Sequence, residues 1–113
     1  MLRFLISFDD GSMDHISAED LPAVGDAARA VVRAAKASGV WIWGGGLLRQ
    51  QSTLVATDGT IAAGPLPGVK AVVGGFSIIE AASREEALVW AARFAAACRC
   101  TQEVREIMYD PES

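Results

Sequence analysis

The side chain best suited to proton transfer near neutrality in this 113-residue sequence is its single histidine, His15. Asp14 stands beside it, and Asp9 and Asp10 lie a few positions before. Histidine next to a carboxylate can act as a general acid or base, with Asp14 orienting the imidazole. Neighbours in a loop need not face one another, so a solvated loop histidine is the competing reading. The same ligand types suit a metal ion, yet their spacing matches no known coordination pattern and no metal is expected. Lys70 and Arg49 are the cations placed to hold an anionic group. Trp41 and Trp43, two apart, share a strand face; they can stack on a flat ligand or pack in a core or dimer contact.

Other constellations are absent. No Ser/His/Asp set, phosphate loop or pair of catalytic carboxylates can be picked out. Gly44-Gly45-Gly46 lacks the G-x-G-x-x-G spacing of a dinucleotide site, and no helical pattern follows it. Cys98 and Cys100 are the only cysteines. Two thiolates cannot close a tetrahedral zinc site, and a bridge across one residue is strained, so both are read as reduced thiols. No cofactor is implied.

These residues need a scaffold, and composition bounds it. A chain of this length is one domain, residues 1–113 with a tail at 110–113, in which folding buries roughly two thirds of the unfolded surface. Apolar residues make up 51% and charged ones 21%, as in soluble globular proteins. A mean hydropathy of +0.28 is high for so small a monomer and suggests an oligomer. Net charge −4 and dispersed basic residues argue against a nucleic-acid partner and against attraction to an anionic membrane. No apolar run reaches the roughly 20 residues of a membrane helix, and Asp9-Asp10 interrupts any leader, so a cytoplasmic location is expected.

The clearest local signal is Phe76-Ser77-Ile78-Ile79, a strand, followed by a helix from Ser83. Ser83 and Glu86 form a capping box, the serine oxygen accepting from the Glu86 amide and the glutamate reaching back to the serine amide. Ala87, Leu88, Ala91 and Phe94, with Trp90, give that helix an apolar stripe, while Arg84, Glu85 and Arg93 face water. Leu2 to Phe8 alternates as a strand and Asp9 to Glu19 is a loop. Asp20 can cap a helix that carries Leu21, Val24, Ala28, Val31, Val32 and Ala35 on its buried side and ends at Gly39 in a left-handed cap. Arg29, Arg33 and Lys36 run along its other face; a solvated stripe is favoured over an anion site. Val40 to Trp43 is a strand that Gly44-Gly45-Gly46 breaks or bulges. Ser52 to Thr57 is another, returned through Asp58-Gly59 in a type I′ turn. Gly64-Pro65-Leu66-Pro67-Gly68 is a loop, and Gln102 to Tyr109 the closing strand.

With the hairpin return set aside, this order is a ferredoxin-like split βαβ repeat, an α+β sandwich of one antiparallel sheet with two helices on one face. The other face is then bare, although the strands carry large apolar side chains at both parities: Phe4 with Leu5, Trp41 with Ile42, Ile78 with Ile79 and Ile107 with Met108. A homodimer covering the helix-free sheet face is expected.

Gly64-Pro65-Leu66 with Lys70, then Gly74-Gly75-Phe76-Ser77-Ile78-Ile79-Glu80 and Glu86-Ala87-Leu88-Val89-Trp90-Ala91, resembles the second half of the YCII-related (DGPF-domain) family. Ala63 and Leu66 stand where the naming motif has aspartate and phenylalanine. The resemblance implies a ferredoxin-like dimer, a dimeric alpha-beta barrel, with a cleft near residues 64–70 and mostly no assigned activity. One branch of the family pairs a histidine near the start of the first helix with an acidic residue near its end; here that end reads Lys36-Ala37-Ser38-Gly39. The expected function is a dimeric domain binding a small anionic or aromatic molecule through Lys70, Gly64, Pro65, Leu66, Arg49 and Trp43. The alternative is a cofactor-independent lyase or isomerase using His15 with Asp14.

Overall fold

A nine-residue strand and the helix after it set the frame. The computed structural model describes residues 1–69 and 72–113. Its elements run β1 (Leu2–Asp9), α1 (Leu21–Ala37), β2 (Trp41–Gly46), β3 (Thr53–Val55), β4 (Ile61–Ala63), β5 (Val73–Ala81), α2 (Arg84–Cys98) and β6 (Glu103–Glu106). The main sheet has the order β2-β5-β1-β6 with all pairs antiparallel. With β3 and β4 left out, this is the strand order of a ferredoxin-like α+β fold, as the sequence implies. No helix of the described residues is long and apolar enough to cross a membrane.

The alternation in β1 selects the core. Phe4, Ile6 and Phe8 pair with Ile79, Ser77 and Gly75, so these residues share the face that the helices cover. Phe4, Ile6 and Ile79 are fully buried there; burying each such side chain stabilises the fold by roughly 1.5–3 kcal/mol. From α2, Ala87, Trp90, Ala91 and Phe94 join them, and from α1, Val31 and Ala35. Leu88 departs from the expected stripe and is exposed, although Ala87, Trp90 and Ala91 of the same turn are buried. Cys98, buried, and Cys100, half-buried, are free.

The ends of the helices show which cap residues act. At α2 the Glu86 amide donates to Ser83 Oγ at 3.2 Å, and Glu86 Oε2 accepts from the Ala82 amide at 3.0 Å, one residue before the amide expected. Asp20 does not cap α1. Its backbone is already helical and its side chain bonds no helix amide; Asp20 Oδ2 accepts from Arg99 at 3.1 Å instead. Gly39 does follow α1 at φ +76°, in the left-handed region.

Three further expectations are corrected. Gly44-Gly45-Gly46 does not break β2 but pairs in register with Ser77, Phe76 and Gly75; the bulge lies earlier, between Trp41 and Trp43. One extra residue reverses side-chain parity, so Trp41 and Trp43 do not share a face. Trp41 packs on Phe94 beneath the helices, ring centres 6.2 Å apart. Trp43 pairs with Ile78 and meets Phe76 edge-on at 5.2 Å. The turn at Asp58-Gly59 is not type I′, since only Gly59 has positive φ, at +86°. The Gly59 amide donates to Ala56 O and the Ala56 amide to Thr60 O, a three-residue loop with its glycine in the bulge position. Finally, β3 and β4 form their own two-stranded sheet and, among the described residues, approach no other strand or helix.

Candidate functional site

Among the described elements the backbone of α1 comes close only to α2 and β2, leaving a wedge between α1 and the rest of the sheet. That wedge is a cleft of about 560 Å³. Val24, Ala28 and Val32 form its helix wall, Phe8 and Trp41 its sheet wall, and Phe94 its end. The 3.6-residue period places those α1 positions on one stripe. Ala28 and Val32 lie beside the buried stripe of Val24, Val31 and Ala35, so the apolar face of α1 is wider than its contact with α2 uses. The backbone of Gly44-Gly45-Gly46 borders the open side, and Trp43, 63% exposed and carried by the same edge strand on the other face of the sheet, reaches the rim of the cleft at that edge. Arg29 and Lys36 also line the cleft, and among the described residues no aspartate or glutamate does.

Cys98 lies at the far end of the same cleft. Burial, with the neighbouring Cys100 second, pushes its thiol above the ordinary value. A protonated thiol is a poor nucleophile, so Cys98 contributes apolar surface here rather than covalent chemistry.

A second cavity, also about 560 Å³, lies where the chain enters and leaves the hairpin, between residues 46–52, Asp10 and residues 72–74. It touches the loop named by the sequence through Ser52, whose carbonyl accepts from the Gly64 amide at 2.8 Å. Gly64 is buried against Ser52, Gln51 Nε2 donates to its carbonyl at 3.3 Å, and Leu66 is exposed. The Gly64–Pro65 peptide is cis. Lys70 lies outside the described residues.

Arg49 meets the loop carboxylates Asp14 and Asp10, and of these three side chains only Asp10 borders a cavity, the second one. Arg49 donates to both Asp14 oxygens, at 2.8 and 2.9 Å, and its Nε lies 3.4 Å from Asp10 Oδ1. The hydrogen bond from Arg49 holds the Asp14 carboxyl below the usual carboxylate range, and the same bond raises Arg49. This two-point contact fastens the β1–α1 loop to the segment after β2. His15 is exposed, accepts or donates no side-chain bond with Asp14 among the described residues, and lines neither cavity. No three His, Cys, Asp or Glu side chains of the described residues are gathered so as to hold a metal ion.

The structure thus brings Trp43 to a cleft, joins Asp14 to Arg49, and keeps His15 apart from both cavities. Sequence reasoning missed Arg29 and Lys36 as cleft residues by reading them as a solvated stripe. The available signal was their spacing of seven, two helical turns, on the border of an unusually wide apolar face.

The sequence pattern of the YCII-related domain matches residues 4–109, nearly the whole chain, and no curated protein matches it. The chain belongs to the YCII-related domain family.

Proposed function

We propose that this member of the YCII-related family is a homodimeric domain that binds a small, largely apolar molecule in the cleft between α1 and the sheet. The carrying observation is the cleft itself. Its volume of about 560 Å³ falls in the range of small-molecule sites, and its walls are aliphatic and aromatic with few polar groups. Dimer formation is supported by the sheet face opposite the helices. Leu5, Trp43, Phe76 and Ile78 stand together there by register, ringed by Arg3, Glu80, Glu103 and Arg105, an apolar centre with a charged rim.

The reading as a lyase or isomerase with His15 as base has less support, since Asp14 is held by Arg49 and His15 borders no described cavity. A thermal-shift screen of small aromatic and aliphatic compounds tests the cleft. Ala28→Trp puts an indole into the space, and ligand-induced shifts seen with the parent protein are expected to vanish. Equal shifts in both proteins would reject the cleft as the binding site.

A further inference from the structure

The chain carries 14 acidic and 10 basic residues, yet among the described residues the only charged groups lining the α1 cleft are Arg29 and Lys36. A site drawn at random from this surface would hold more acids than bases; this one excludes acids altogether. The two cations lie seven residues apart on α1, two turns or roughly 10 Å along the helix, with Val32 on the apolar wall between them. They are not equivalent. Arg29 is engaged by Asp26 Oδ1 at 2.6 Å. Lys36 makes no ion pair among the described residues, so its ammonium keeps its full capacity for a ligand anion. Gly45 and Gly46, on the opposite lip, would meet nothing within 4 Å if they carried a Cβ, so packing does not require glycine there. Bare backbone at those two positions leaves that border of the cleft open.

Resting on the small-molecule reading above, we infer that the cleft selects an amphipathic carboxylate: an aromatic or medium-chain aliphatic body between the α1 wall and Trp41, with its carboxylate at the mouth against Lys36 and Arg29 second. The walls reward the apolar body by area removed from water. The carboxylate remains partly hydrated at the mouth, which avoids the cost of burying an uncompensated charge. A neutral ligand of the same shape fills the same walls and forgoes the charge-assisted bond.

Isothermal titration with 2-naphthoate and its uncharged isostere 2-naphthamide, at low and at high salt, tests this. The parent protein is expected to bind naphthoate at least tenfold more tightly than naphthamide at low salt. Raising the salt concentration narrows that gap. In Lys36→Ala the naphthoate affinity falls about tenfold while naphthamide binding is unchanged, and Lys36→Arg restores the preference. Equal affinities of the parent protein for the two probes would overturn the carboxylate inference and leave the cleft reading standing. A naphthoate preference that survives Lys36→Ala combined with Arg29→Ala would also overturn it. Failure of both probes to bind at millimolar concentration would overturn the cleft reading and this inference together.

Discussion

At the residue scale, Ser83 and Asp20 make a controlled comparison, because both precede a helix and both are of the type that caps one. Ser83 has extended backbone and accepts from the Glu86 amide, satisfying a donor that the helix itself cannot. Asp20 is already helical, so its carboxylate swings outward to Arg99, and both partners are about half exposed. Ser83→Ala is expected to lower stability by about 0.5–2 kcal/mol. Asp20→Ala removes a surface pair and is expected to cost under about 1 kcal/mol, most of it screened by salt. Urea unfolding of both variants at two ionic strengths checks this; an unchanged midpoint and slope for Ser83→Ala would remove the capping box as a source of stability. Sequence alone cannot separate these two residues. The competition at Asp20 comes from Arg99, which follows 79 positions later.

At the element scale, β2 carries its information in glycines and a bulge. Gly44 faces the backbone of β5 so closely that an added Cβ would run into Phe76 O and sit 2.8 Å from Ser77 Cα. Neither is a movable side-chain end, so Gly44→Ala must displace the edge strand. Forced shifts of this kind cost typically 1–3 kcal/mol. Gly45→Ala meets open space and is expected to leave the melting temperature nearly unchanged, although strand geometry is otherwise the same. Thermal unfolding of the pair measures the contrast, and similar melting points would contradict the close β2–β5 approach. The strand–helix–strand frame is legible in the sequence because alternation, the capping box and the apolar helix stripes are local signals. The bulge is not legible: it depends on pairing between β2 and β5, about 35 residues away, and it sends Trp41 and Trp43 to opposite faces. The cleft escapes for a related reason. Periodicity marks which face of α1 is apolar but not how closely α1 approaches the sheet, so residues of one stripe divide between core and cleft wall.

At the scale of the whole molecule, size and shape bear on assembly. The chain exposes 7770 Å², roughly 1,800 Å² more than a folded monomer of 11.9 kDa is expected to show. It is also flat, 44 × 43 × 19 Å, with a radius of gyration of 15.7 Å against about 13 Å for a compact chain of this length. The projecting hairpin accounts for part of that excess, with Val55 and Ile61 paired and exposed on one side of it. A two-stranded hairpin alone is marginally stable in water, so apolar pairs on such an arm gain from a neighbour. The helix-free face supplies a broader surface, and its centre at Ile78, opposite Leu5 and Trp43, is where a charge would do most harm. Sedimentation at micromolar concentration is expected to show a dimer of about 24 kDa for the parent protein. Ile78→Arg should convert it to a single 11.9 kDa species, with the helical circular dichroism retained because that side chain points away from the helices. A parent protein that sediments only as a monomer would remove the dimer. A dimer unaffected by Ile78→Arg would move the contact from the sheet face to the hairpin or to a free sheet edge, at β2 or at β6, where this fold also leaves apolar surface or unpaired backbone exposed.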